Sequence, residues 1–219
     1  MNILIVYAHP DPQSFCGVMK DQTLKVLVDR GHSVQVSDLY AMKFKAAADP
    51  DDFTHDALEN GAFELPSSQL YASQHGTFAP DIVEEQQKVA WADYLIFQFP
   101  LWWYSVPGMM KGWLDRVLAL GFAYGQGRSL AGRRAMCVLT TGGPARVYTP
   151  EMRQALIDLL NPVMRGTLHF CGLRVLPPYA VYGAANMTVE QRNEALRQYS
   201  ELLIILERIA PVDYNNLDK

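Results

Sequence analysis

Runs of basic residues are missing from this chain. Its 19 Lys and Arg are outnumbered by 23 Asp and Glu, giving a formal charge of -4. Neither a nucleic-acid surface nor a polybasic membrane surface is therefore expected as the main partner. No stretch approaches the ~20 consecutive apolar residues of a membrane span. The opening Met1-Asn2-Ile3-Leu4-Ile5-Val6-Tyr7 has no basic flank and enters a strand pattern at once, so it is not read as a signal peptide. Cysteine is scarce: Cys16, Cys137 and Cys171 are scattered and odd in number, which argues against a disulfide framework or a CxxC redox pair. The dinucleotide fingerprint G-x-G-x-x-G, the P-loop and the G-x-S-x-G nucleophile elbow are all absent. His169 and Cys171 have no second pair to complete a metal site and are read as packed side chains, so no metal is expected. These absences leave a cytoplasmic protein without a membrane span.

The 219 residues suit one domain spanning 1–219, and 49% hydrophobic content is enough for a full core. Apolar runs at 2–8, 33–38, 94–99, 135–141 and 173–182 read as strands, the last one edged or ended by Pro177-Pro178. Between them lie helical patterns at 14–29, 84–92, 107–120, 151–160, 164–170 and 188–209. Ser14 and Thr188 are placed to cap the first and last of these, and Gly31 to end the first. Alternation of this kind predicts an α/β fold: a doubly wound, five-stranded parallel sheet of flavodoxin-like order 2-1-3-4-5 with helices on both faces. The polar stretch 40–79 reads as a long irregular loop of the functional or partner-facing kind.

In such a sheet ligands bind beyond the carboxyl ends of the strands, and three loops there carry chemistry. After the third predicted strand comes Leu101-Trp102-Trp103-Tyr104, closed by Pro107-Gly108. Aromatic faces at that place suit a flat conjugated ligand, although a subunit interface or core edge also uses such a cluster. After the first strand, His9-Pro10-Asp11-Pro12-Gln13-Ser14-Phe15-Cys16 opens a helix. Free N–H groups and the helix dipole there attract an anion, yet the same residues fit a turn with a capping Ser and a surface His. After the fourth strand, Thr140-Thr141-Gly142-Gly143 offers hydroxyls and a bare backbone to a polar ring edge, and Tyr148 offers a phenol proton to charge developing on a ring. Alone, Gly-Gly-Pro is simply a turn; together the three loops form one consistent site.

These stretches, with Ser37-Asp38-Leu39-Tyr40, Pro80-Asp81-Ile82-Val83, Lys111-Gly112-Trp113, Gly121-Phe122-Ala123-Tyr124 and Leu168-His169-Phe170-Cys171-Gly172, resemble the NAD(P)H:quinone oxidoreductase (DT-diaphorase) family in the family's own order. The resemblance implies a flavodoxin-fold FAD enzyme, FMN being the second choice. It implies a homodimer in which hydride passes from NAD(P)H through the flavin to a quinone. His9, Ser14, Phe15 and Cys16 would follow the pyrophosphate and ribityl chain. Leu101, Trp102, Trp103 and Tyr104 would flank the ring system, with Trp103 also beside the substrate. Thr140, Thr141, Gly142 and Gly143 would hold the ring's polar edge, and Arg192 the adenine end. Tyr148 is the implied catalytic residue, bonding the ring where negative charge collects. Phe122 and Tyr124 would cover the substrate pocket from the partner subunit.

The chain departs from the family at several points. Cys16 stands where Asn or Thr is usual. No His follows Tyr148, so Arg146 or Arg153 must relay charge or Tyr148 acts alone. The loop 125–132 is shorter, and Arg165 replaces a histidine of one member's zinc site. Arg146 and Arg128 are the candidates to meet a 2′-phosphate. The other readings are an azo or nitro reductase, a transport-associated regulatory flavoprotein, an electron carrier lacking its own NAD(P)H site, and a protein without flavin.

Overall fold

The computed structural model describes residues 1–59, 62–125, 130–152 and 154–214. Strands β1 (Asn2–Tyr7), β2 (Ser33–Asp38), β5 (Tyr94–Pro100) and β6 (Arg134–Thr140) form a parallel sheet in the order β2-β1-β5-β6, with β3 (Leu58–Glu59) and β4 (Ala62–Phe63) set apart as a small antiparallel ribbon. The fifth sheet position is divided. β7 (Arg174–Val175) pairs with the start of β6 and β8 (Tyr179–Val181) with its end. Pro177 and Pro178, which lack an N–H to give the ladder, lie between them. The predicted fold class therefore stands, while the strand order differs at the fifth position, where two short strands give six in place of five.

Period-two alternation sorts the strand residues into two cores. Leu4, Val6, Leu95, Phe97, Cys137 and Leu139 face one side, Ile3, Ile5, Ile96, Met136 and Val138 the other. Each such fully buried aliphatic side chain contributes roughly 1.5–3 kcal/mol, so these runs cannot slip by one residue without inverting the sheet. The second face is covered by α1 (Phe15–Asp29) and α6 (Val189–Ile204) through Met19, Leu27, Tyr199 and Leu203. On the first face α3 (Pro80–Trp91) and α4 (Gly108–Val117) supply Val89, Trp113 and Leu114. Thr188 caps α6 with a reciprocal bond to Gln191.

Segment 40–79 is not an irregular loop. It contains the β3–β4 ribbon and an 11-residue helix, α2 (Leu65–His75). Gln69 of α2 docks on the neighbouring helix by donating to the Asp115 carbonyl at 2.8 Å and accepting from the Leu120 amide at 3.1 Å. Arg116, buried, donates to Asp52 (3.0 Å), Asp81 (2.8 Å) and the Lys45 carbonyl (2.8 Å), pinning the start of the excursion to α4. The helix expected at 151–160 forms later, as α5 (Leu156–Val163), and continues as a π turn over Met164–His169.

Candidate functional site

Strands β1, β5 and β6 end side by side, Tyr7 opposite Gln98 and Pro100 opposite Thr140. A cleft of about 420 Å³ opens beyond them. It gathers His9, Ser14, Phe15 and Cys16 from the first loop, Leu101 and Trp102 from the second, Thr140, Thr141 and Gly142 from the third, and Arg192 from α6. Trp103, Tyr104, Gly143 and Tyr148 are not among its lining residues; Trp103 and Tyr104 continue the chain from Trp102 as an adjoining lip, and Gly143 follows Gly142.

The first loop is built tightly. Ser14 Oγ donates to the Asp11 carbonyl at 2.7 Å and accepts the Gly17 amide at 3.1 Å. That hydroxyl is therefore an N-cap, and the amides of the first turn are what α1 offers an anion. His9 Nδ1 lies 3.0 Å from both the amide nitrogen and the carbonyl oxygen of Asp11, which ties the ring to the turn. The Arg192 guanidinium lies 5.6 Å from the Phe15 ring centre, adding a cation at the same end. Burial pushes the Cys16 thiol up to about 12, so it lines the cleft as a neutral group and not as a nucleophile.

The aromatic loop is a two-residue turn. The Trp102 amide donates to the Ser105 carbonyl at 3.2 Å and the Ser105 amide to the Trp102 carbonyl at 3.0 Å. Between them Trp103 and Tyr104 both take left-handed backbone, φ 48° and 61°, a conformation that costs a bulky residue of order 1–3 kcal/mol. Trp103 is 94% exposed at its tip. Trp102 reaches back over the cleft to within 5.8 Å of the His9 ring. Strain spent to display an indole is typical of a contact surface.

In the third loop the Thr141 hydroxyl donates to the Gly143 carbonyl at 2.7 Å, so it shapes the loop and keeps no proton for a ligand. Gly142 presents bare backbone: nothing lies within 4 Å of where its Cβ would stand. The Tyr148 ring packs 5.5 Å from Tyr182, its hydroxyl about 3.4 Å from the Cβ position of Gly143. Arg146 faces a separate open groove with Tyr182 and Glu190. Arg128, Arg153 and half of loop 125–132 lie outside the described residues.

Tyr124 does not join this cleft. It lines a second one of about 330 Å³ on the other side of the aromatic loop, with Ser105, Val106 and Phe170. Phe122 is half-buried against the core. Phe170, 62% exposed and 5.5 Å from the Tyr124 ring, went unassigned in the sequence; only its place beside Tyr124 reveals it. His169 packs 4.9 Å from Tyr214, and no group of His, Cys, Asp or Glu suited to a metal occurs among the described residues.

The profile of a family with the flavodoxin-like fold matches residues 1–203. Mouse ribosyldihydronicotinamide dehydrogenase [quinone] is 39% identical over 96% of this chain and 94% of its own length. Guinea-pig NAD(P)H dehydrogenase [quinone] 1 is 38% identical over 91% and 75%. The crystal structure of a Klebsiella pneumoniae protein, named as a candidate quinone reductase, superposes with a TM-score of 0.89 at 39% identity, covering 97% of this chain and 87% of that one.

Proposed function

This chain belongs to the quinone reductase family of flavodoxin-like fold, and from that premise we propose that it is an FAD-dependent NAD(P)H:quinone oxidoreductase that binds its two substrates in turn at one site. The observation that carries the reading is the strained Trp103-Tyr104 turn held at the rim of the strand-end cleft. A flat ring system with a phosphate tail fits what lines that cleft: the Trp102 indole, the bare backbone of Gly142, the first turn of α1 and the Arg192 cation beside it. A bound flavin would supply the two-electron carrier between nicotinamide and quinone.

The protein's own groups then divide the work. Amides of the first turn of α1 and Arg192, which lines the same cleft beside Phe15, bind phosphate; a cation in addition to the helix amides supports FAD over FMN. Trp102, Trp103 and Tyr104 stack and exclude water. Thr140 and the Gly142-Gly143 backbone hold the polar edge. Tyr148 donates its phenolic proton toward the ring carbonyl where charge gathers. We read the molecule as a homodimer in which Phe122 and Tyr124 of one copy cover the aromatic lip of the other; the exposure of Trp103 and the separate cleft beside Tyr124 support it. The buried, unpaired cysteines support a cytoplasmic location, and no described helix is long and apolar enough to cross a membrane.

Flavin released by heat should chromatograph as FAD; FMN would overturn that assignment. The enzyme should turn over quinones faster than azo dyes, and the reverse preference would favour azo reduction. Tyr148→Phe should keep its flavin but lower the rate of its reduction by NAD(P)H roughly tenfold to a hundredfold, the loss of one preorganised donor; an unchanged stopped-flow rate would remove Tyr148 from the reaction. Trp103→Gly should melt no lower than the native apoprotein, since left-handed backbone is free for glycine, while its flavin affinity falls about tenfold with the lost stacking face. A variant that loses stability but binds flavin normally would show that the turn serves folding alone.

A further inference from the structure

Gln98 is fully buried near the end of β5, in the stretch that leads into the aromatic loop. Its carbonyl accepts the Ala8 amide at 3.0 Å. Its side-chain Nε2 donates to the Cys16 carbonyl at 2.8 Å. Ala8 and Cys16 bracket the turn from His9 to Phe15. One residue thus holds both ends of the turn that presents the first-turn amides. Two residues further on the chain becomes Pro100-Leu101 and the aromatic lip. The amide orientation follows from the partners: a carbonyl can only accept, so Nε2 faces Cys16 and Oε1 faces Thr23, whose hydroxyl is 3.3 Å away. Thr23 in turn lies 2.7 Å from the Tyr199 hydroxyl on α6, the helix that carries Arg192.

We propose that Gln98 is the positioning residue that sets the spacing between the phosphate-binding turn and the aromatic lip, and so fixes flavin affinity without touching the flavin. The proposal rests on the flavin reading above and adds the internal strut that aligns its two halves. A hydrophobic residue of similar size would fill the same volume but would leave the Cys16 carbonyl without this donor. A buried carbonyl–amide bond of this kind is worth about a tenfold change in an equilibrium it controls.

The test uses the whole protein stripped of flavin and titrated with FAD by quenching of flavin fluorescence, alongside a melting curve for each variant. Gln98→Leu should bind FAD about tenfold more weakly than native protein. Gln98→Glu is the decisive variant. As a neutral acid its O–H can donate to the Cys16 carbonyl as the amide does; as a carboxylate it cannot. Its affinity relative to native protein should therefore be near normal at pH 5.5 and fall about tenfold by pH 8.5. The titratable groups of the surrounding layer are Cys16 on α1, Tyr7 and Tyr94 on the strands and Tyr199 on α6. Burial pushes all four upward, so none of them ionises within that window. If the ratio stays flat with pH while the melting temperature moves, Gln98 serves stability alone and the proposal fails. If native protein itself binds no flavin, the reading beneath the proposal fails, a different and separately visible result.

Discussion

Asp52→Ala should destabilise the protein by roughly 3–5 kcal/mol, because it strips a buried guanidinium of its buried counter-charge. Arg116 and Asp52 are each 1% exposed, with Nε and Nη2 of the arginine 3.0 and 2.9 Å from one carboxylate oxygen. Lys45 meets that same oxygen at 2.8 Å. The Arg116 guanidinium also lies 4.8 Å from the Phe44 ring centre. The neighbouring carboxylates are already engaged, Asp81 with Nη1 and Asp49 with Lys45. At this chain length the loss corresponds to a melting temperature lower by roughly 6–20 °C. Replacing both members, Arg116→Met with Asp52→Leu, should recover most of it, as removing a buried pair together avoids the orphaned charge. Thermal melts of the single and double variants check both statements. A single variant within about 1 kcal/mol of native would mean that water reaches Arg116 and that the cluster does not pin segment 40–79.

Gly17→Ala should abolish tight flavin binding. A Cβ at that position would stand 2.1 Å from the Pro12 carbonyl oxygen and 2.7 Å from its carbon. Both are backbone atoms, so the turn His9–Ser14 must lift off α1, taking the Ser14 cap with it. Overpacking of this kind costs roughly 1–3 kcal/mol of stability. The larger effect falls on the site, because the first-turn amides lose their setting: FAD affinity should drop about a hundredfold, equivalent to roughly 3 kcal/mol. Gly108→Ala, where a Cβ meets nothing within 4 Å, is the matching control and should bind normally. Fluorescence titration of the two variants decides the matter; equal affinities would show that the close approach of Pro12 to Gly17 has no part in ligand binding.

Where the sequence was readable, physical pattern made it so. The strands were visible because residues buried on both faces of a parallel sheet give unbroken apolar runs, and the caps at Ser14 and Thr188 because side-chain type and position together specify them. Helix α2 was invisible for the converse reason. It buries Ser68, Gln69 and Ala72, so no apolar stripe marks it, and its docking relies on amide bonds from Gln69. The split of the last strand was half legible: the two prolines announced an interruption, but not that the chain would rejoin β6 beyond them. In the site, loop residues at strand ends could be assembled from topology alone. Phe170 could not, because a ring on a π turn meets Tyr124 only in three dimensions. Nor could Gln98, since a buried polar strut has no spacing signature. Thr141 lines the cleft as its residue type suggested, and only the structure shows that its proton is used inside the loop.

Anaerobic titration of the purified protein with NADPH tests the central claim most directly. The account predicts a bound flavin whose visible absorbance bleaches with one equivalent of NADPH and returns with one equivalent of a quinone. A protein that carries flavin but keeps its colour under excess NADPH and NADH would contradict it, leaving a carrier that depends on another enzyme for its electrons.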